Sequence, residues 1–596
     1  MSFRNLQQSR IILVKRTFAL LILLAAFYLP VQAQAVKKTA KAAKSADVVD
    51  ATNWDNKIMA GYQGWFRNPG DNPKDTRQGW SHLFGGNGAN GAIMRPGFDM
   101  WPDMSEYKAD EKTAVPNYTL PDGSQAYLYS AQNAKAVMRH FQWMKKYGID
   151  GVWLSEFCDH FPYGRQAYDS TTVYTIMHNV QTAAKATGRT WAFMWDMSGF
   201  GRQTPKSEVY NVMITNWKRM VDEGVTSTKG RYMHQNGKPV LQIWGFFPDR
   251  PASQPDYMNA VIDFLQARGK YQAVILAGVD DKWRRTGTAA FQDMLMRMPG
   301  LQPWSVGRAT VDPASGYKVP NSINSWAADM AMCRAHGVIF QPTINSGTNI
   351  AGPPPPPGRL PSVPRRSGNY LWAQFVAAQK AGTINSAFIC MFDEINEGTQ
   401  IMKTTNHPPT QYPFLTFDGA TSDYYLRLVG TASMMLKKHI PITPVIPISP
   451  FDAKKWYRIQ NKASSLMLTN QSKIAKAPLV QTADDKGTNG EWQLIYAADD
   501  GNSYFKIKSR LSGKVLSRAP DDAVIQTPDL KSDYAKWHFE WDGTGYCRII
   551  NKVSGKALSS NSLTVNGSPI VQVADPTKPA DLKTRDDLRW KIIEPM

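Results

Sequence analysis

The chain has 596 residues, with 69 Lys and Arg against 49 Asp and Glu and a formal net charge of +20. That length exceeds what one hydrophobic core supports, so two or more domains are expected. The basic residues are spread along the chain with no stripe or nucleic-acid motif, which argues against nucleic acid as a partner. The four cysteines (Cys158, Cys333, Cys390, Cys547) fit no zinc spacing, and Cys158 and Cys390, in or just after predicted strands, read as packed thiols rather than a disulfide.

Arg4, Arg10, Lys15 and Arg16 precede an apolar run over 18–29, and small-residue cleavage sites follow at Ala33 and Ala35. This is the pattern of a secretory signal peptide over 1–35; an uncleaved signal anchor is the other reading. No Cys follows the apolar run, so lipoprotein processing is not expected. The mature protein is expected to be secreted or periplasmic, with no stable membrane span after signal cleavage. Residues 36–51, rich in Lys and Ala, read as a flexible spacer.

From 52 to 439 strands alternate with amphipathic helices. Strands are predicted at 57–66 (KIMAGYQGWF), 150–157 (DGVWLSEF), 190–197 (TWAFMWDM), 239–246 (PVLQIWGF) and 273–279 (AVILAGV). A weaker sixth lies near 302–307, a seventh at 338–344 (VIFQPTI) and an eighth at 387–392 (AFICMF). Helices are predicted at 131–147, 170–187, 207–222, 255–267, 289–298, 325–336 and 368–381. Eight strand–helix repeats argue for a (β/α)8 TIM barrel. A doubly wound open sheet is the competitor, but no Gly-rich phosphate loop follows the first strand.

In such a barrel the carboxyl ends of the strands converge on one cleft. Here they carry Tyr62 and Trp65, Glu156, Asp159 and His160, Trp195 and Asp196, Trp244, Asp280 and Asp281, Arg308 and Asn345. A single such residue could be a loop residue or a helix cap; the recurrence at successive strand ends is what points to a site. Tyr62, Trp65, Glu156, Asp196 and Trp244 are the substrate-binding candidates. Residues 67–130 form a long Gly- and Trp-rich excursion, expected to be functional. The run of five prolines at 353–357 is expected to be stiff polyproline II.

The eighth strand ends in Asp393, Glu394 and Glu397. Surface acids capping a following helix are one reading. The other is a catalytic pair for glycoside hydrolysis, in which one carboxyl donates a proton to the leaving oxygen and another, ionised, acts as base or nucleophile. A shared site separates their proton affinities so that both states coexist near neutral pH. Glu394 and Glu397 are the catalytic candidates, and Asp393 and Asn396 flank them as binding candidates. There is no His-Glu-x-x-His, calcium-loop or Gly-x-Ser-x-Gly pattern, so no metal, cofactor or serine nucleophile is expected.

This stretch, AFICMFDEINEGTQI, resembles the Asn-Glu-Trp-His-Glu-Gly-Thr signature of glycoside hydrolase family 99, the endo-acting α-mannosidases and mannanases. The signature's two glutamates fall on Glu394 and Glu397; Asp393, Ile395 and Asn396 stand where the family has Asn, Trp and His. The resemblance implies hydrolysis of an α-mannoside within a chain, without a metal and with retention. Glu394 would act on the sugar 2-hydroxyl to form a 1,2-anhydro sugar, and Glu397 would protonate the leaving oxygen and then activate water. GYQGWF resembles the family's first-strand Tyr-Tyr-x-Trp-Tyr segment, which implies sugar stacking by Tyr62 and Trp65. A hydrolase of another polysaccharide, such as α-1,3-glucan, and a non-catalytic glycan-binding protein are the alternatives.

Residues 440–452 place prolines at close intervals and read as a rigid linker. The segment 453–596 then repeats three times: WYRIQNKASSLML, YFKIKSRLSGKVLS and YCRIINKVSGKALS, each followed by a glutamine (Gln481, Gln526, Gln572) and closing on a tryptophan (Trp492, Trp537, Trp590). Three copies of a four-strand unit make an all-β β-trefoil. It resembles the ricin B-type lectin domains, which implies a glycan ligand beside the oligo- or polysaccharide substrate. The usual Gln-x-Trp closure is absent, so the tryptophans are read first as core residues.

Overall fold

A computed structural model describes residues 48–71, 79–85, 93–164, 170–313, 317–349, 362–382, 384, 386–499, 502–528, 531–576 and 584–594. The expected signal peptide, most of the spacer and the proline run at 353–357 lie outside them.

The first domain is a parallel barrel. Its strands are β1 (Lys57–Tyr62), β2 (Gly151–Phe157), β3 (Thr190–Asp196), β4 (Lys238–Phe246), β5 (Val274–Asp280), β6 (Gly300–Trp304), β7 (Ile339–Phe340 with Thr343–Asn345) and β8 (Ser386–Cys390). The pairing runs β6-β5-β4-β3-β2-β1-β8, with β7 meeting both ends of that row. Every residue of β1, β3 and β8 is buried, because one face of the strand fills the barrel and the other packs under helices.

The predicted seventh strand is interrupted. Pro342 has no N–H to give a ladder, so the strand divides around it. Ile339–Phe340 pairs with β6 and Thr343–Asn345 pairs with β8, and this division closes the ring.

The helices are α1 (Ala134–Tyr147), α2 (Ser170–Thr187), α3 (Lys206–Asp222), α4 (Pro255–Gln266), α5 (Ala289–Met296), α6 (Trp326–Ala335), α7 (Asn369–Ala381) and α8 (Tyr424–Leu436). Helix α1 begins after Asn133, whose side chain accepts from the Lys135 and Ala136 amides, and ends at Gly148 in the left-handed region.

The described residues of the excursion after β1 are structured. Thr113–Thr119 forms a hairpin with Gln125–Leu128, over an aromatic cluster in which Trp101 lies 5.5 Å from Phe98, 5.6 Å from Tyr118 and 5.2 Å from Phe414. The four cysteines are all buried and unbridged. Among the described residues no helix is long and apolar enough to cross a membrane, and no cluster of three or more His, Cys, Asp or Glu could hold a metal ion.

The second domain is an all-antiparallel β-trefoil whose three units are bonded alike. Trp492 Nε1 donates to Leu468 O (2.9 Å), Trp537 Nε1 to Leu516 O (3.1 Å) and Trp590 Nε1 to Leu558 O (2.9 Å). Each indole is fully buried in the shared core, so it fills the trefoil axis and satisfies a strand carbonyl at once. The repeated glutamines are buried too: Gln481 and Gln572 accept from Ser464 and Ser554 hydroxyls at 2.6 and 2.7 Å, and Gln526 accepts from Asn470 Nδ2 at 2.9 Å. They bond within the framework of the repeat.

The proline-rich segment between the domains touches both. Trp372 Nε1 of α7 donates to Thr443 O at 2.9 Å, and the Tyr496 hydroxyl of the trefoil bonds to Ile446 O.

Candidate active site

The site is built on the turn that follows β8. Asp393, the first acid beyond the strand, is completely buried, and its carboxylate accepts from the backbone N–H groups of Gln63 and Gly64, each at 2.9 Å. It thereby pins the end of β1 to the end of β8. Burial pushes the Asp393 carboxyl up to about 6, against the pull of those two bonds.

Gln63, so placed, turns its amide onto the next acid. Its Nε2 donates to Glu394 Oε1 at 2.5 Å, and the Thr399 hydroxyl donates to Glu394 Oε2 at 3.1 Å. Glu394 is 5% exposed. Burial, and then the charge of Glu397, raise its proton affinity well above the carboxylate range, and the Gln63 and Thr399 bonds oppose that rise. Burial raises Glu397 as well. Two carboxyls that repel each other in one buried site disfavour ionising together, which suits a site that holds one acid and one base.

The main chain of the turn is also fixed. Glu397 O accepts from Asn349 N (2.8 Å) and from the Thr348 hydroxyl (2.9 Å), and Arg365 Nη2 donates to Gly398 O and Gln400 O, each at 2.7 Å. Gly398 has φ +64, which favours glycine, and a Cβ there would make a tight contact, 3.0 Å, with the Asp99 carboxylate.

Glu156, from β2, is buried, and both burial and the nearby Asp393 charge raise its carboxyl well above the usual range. Its Oε1, the Gln63 Oε1 and the Asn396 Oδ1 have no hydrogen-bond partner among the described residues. Asn396 is half-buried on the turn, whereas Ile395 beside it points wholly into the core.

The other candidates separate by place. Trp65 is half-buried, with its ring stacked 4.9 Å from Phe157 and its Nε1 donating to Ser155 O at 3.1 Å. Trp244 is half-buried at the end of β4 and makes edge contacts with Trp304 (5.3 Å) and Phe247 (5.0 Å), with the Arg250 guanidinium over its ring. Asp196 caps the turn after β3, accepting from Ser198 N at 2.6 Å, and burial lifts its carboxyl to about 6.

Tyr62 is placed elsewhere. It is 0% exposed, its hydroxyl bonds His140 Nδ1 of α1 at 2.9 Å, and its ring is enclosed by His140, Phe141 and Phe392. It lies on the helix side of β1, with no ring face turned to the cleft, and this corrects the expectation that it stacks on a sugar.

Sequence reasoning did not single out Gln63, Thr399 or Arg365. Gln63 stands inside the GYQGWF segment and Thr399 inside the signature, so their neighbourhood was visible. Arg365 carried no signal, since its role depends on a contact with a carbonyl 33 residues further along the chain.

The C-terminal domain matches the family described as ricin-type β-trefoil lectin domain-like, over residues 451–527 and 488–573. No curated protein matches the chain by sequence. Among solved structures, the chain is similar to the GH99 endo-α-mannosidase from Bacteroides thetaiotaomicron, at 18% identity over 65% of this chain and 99% of that one, with a TM-score of 0.42. The same enzyme in complex with BIS-TRIS-propane gives 16% identity, the same coverage and a TM-score of 0.44. The trefoil is similar to a designed three-fold symmetric protein, ThreeFoil, at 26% identity over 24% of this chain and 99% of that one, with a TM-score of 0.21.

Proposed function

We propose that the protein is a secreted glycoside hydrolase that cleaves an α-linked glycan, with the trefoil as a carbohydrate-binding module. The observation that carries this reading is the two carboxyls Glu394 and Glu397 on the turn after β8, with Glu394 buried and clasped by Gln63 and Thr399. Two neighbouring carboxylates with separated proton affinities supply the acid and the base that glycosidic cleavage needs. Unpartnered acceptors on Glu156, Gln63 and Asn396 suit a ligand rich in hydroxyl donors. Half-buried indoles at Trp65 and Trp244 suit the apolar faces of sugar rings.

The step is a division of labour. Glu394 serves as base toward the sugar 2-hydroxyl, the role that the resemblance implies for it, and its bonds from Gln63 and Thr399 favour the ionised form that burial and the Glu397 charge oppose. Glu397 gives a proton to the leaving oxygen, the role that the resemblance of 393–399 to the family 99 signature implies for it. The resemblance of 393–399 to the family 99 signature favours an α-mannoside cut within a chain with retention. Asn396, half-buried where that signature has His, alters the wall that meets the sugar, whereas Ile395, where it has Trp, lies in the core.

The test is digestion of a panel of α-mannans and α-1,3-glucan by the mature protein, with product sizing and proton NMR of the first-formed anomer. Internal cleavage of an α-mannan with retention is expected. Products from α-1,3-glucan alone would move the substrate assignment, and inversion would overturn the retaining path through the 2-hydroxyl.

A further inference from the structure

The segment 362–368 lies between the two domains and touches both the site and the trefoil. Thr348 and Val363 exchange backbone hydrogen bonds at 3.0 and 2.9 Å, which lays the segment beside the residues that hold Glu397 O. From there its side chains diverge. Pro364 packs on Gly543 of the trefoil, where an added Cβ would come within 2.3 Å of it. Arg366 pairs with Glu540 of the trefoil at 2.7 Å and lies 4.0 Å over the Tyr317 ring. Tyr317 in turn accepts from Arg548 of the trefoil at 3.0 Å.

Arg365, between them, points the other way. Its guanidinium is buried, lies over the Tyr425 and Phe417 rings at 4.7 and 5.1 Å, and delivers Nη2 to Gly398 O and Gln400 O.

The backbone here makes one tight turn, with Gly368 N donating to Arg365 O at 3.1 Å. Arg366 and Ser367 both have φ +48, and Gly368 follows at φ +85. Two consecutive non-glycine residues in the left-handed region are costly and persist only where surrounding contacts impose them. Those contacts come from both sides: the Tyr424 hydroxyl donates to Ser367 O at 2.9 Å from the barrel, and Glu540 grips Arg366 from the trefoil.

We infer that the trefoil positions the turn that carries Glu397: Gly543 and Glu540 fix Pro364 and Arg366, and Arg365 between them transmits that hold to the carbonyls of Gly398 and Gln400. This rests on the reading of Glu397 as catalytic for its effect on turnover, but not for the mechanical coupling itself. Arg365 is a positioning residue, and the second domain is part of the active-site scaffold as well as a module that binds glycan.

The experiment uses the full mature chain with Glu540→Gln and Arg366→Lys. Lys462→Gln, which breaks the Lys462–Asp586 pair elsewhere in the trefoil, is the control. Hydrogen–deuterium exchange is read on peptides spanning 362–368 and 395–401. Both seam variants are expected to speed exchange in both peptides by about threefold or more, with the control unchanged. On the glycan cleaved by the wild type, kcat is expected to fall about five- to tenfold with KM within twofold, because misplacing a catalytic group costs the chemical step more than binding. Unchanged exchange over 395–401 in both seam variants, with 362–368 loosened, would overturn the inference and leave the hydrolase reading intact. If no glycan is cleaved, the exchange result decides the coupling by itself.

Discussion

Gln63 and Glu394, 331 residues apart in the chain, meet in a hydrogen bond of 2.5 Å from the amide Nε2 to the carboxylate Oε1. The bond exists because Asp393, one residue earlier, already holds the Gln63 and Gly64 amides. One acid of the turn is thus structural and supports the donor that tunes the next.

Replacing Gln63 by Leu removes a donor that favours the ionised form of Glu394, so the proton affinity of Glu394 rises further. If Glu394 works as the base, the acid limb of the kcat/KM profile moves to higher pH. A pH–rate series on wild type and Gln63→Leu checks this, and an unmoved limb would assign the base elsewhere.

The carboxylate pair also has a signature in stability. Glu394 has a folded-state pKa raised above its unfolded value, so its share of stability is fully present below the unfolded pKa and is lost as pH rises through the folded pKa. Glu394→Gln removes that loss. The variant is expected to melt about 1–3 °C above wild type at pH 8 and at nearly the same temperature at pH 4, by calorimetry at both values. A variant that melts lower at pH 8 would contradict the stated burial and repulsion.

The strand-and-acid pattern at 387–397 was legible because the apolar run and the carboxylates are adjacent in the chain. The barrel was legible because the strand–helix period repeats. What was not legible depends on which face a residue presents. Strand β1 is buried on both sides, so its sequence does not say whether Tyr62 looks into the barrel or out to α1. The break in β7 was written in Pro342, yet the pairing of each half with a different neighbour is decided by closure of the ring. Arg365 and Gln63 act through contacts that no local pattern encodes.

Tyr62 and Trp65 can be separated by measurement. Tyr62→Phe loses the bond to the buried His140 and is expected to cost about 1–3 kcal/mol of stability with KM unchanged. Trp65→Ala is expected to raise KM about 5- to 15-fold through lost ring contact, with a smaller change in kcat. Denaturant melts and steady-state kinetics on both variants check the pair. A raised KM in Tyr62→Phe would return that residue to the cleft.

In the trefoil, Trp537→Phe keeps an aromatic ring but leaves Leu516 O without its donor. The expected cost is about 2 kcal/mol, read in the unfolding transition of this domain, with the same order expected for Trp492→Phe and Trp590→Phe because the three bonds are alike. A loss of glycan binding without a loss of stability would instead make these tryptophans ligand residues.

The most direct measurement is hydrolysis of the α-linked glycan panel by wild type, Glu394→Gln and Glu397→Gln, each shown to be folded by circular dichroism. Cleavage by wild type and a loss of about 10³-fold or more in kcat for both variants is the expected result. Cleavage that survives both substitutions would contradict the assignment of the pair as the catalytic acid and base.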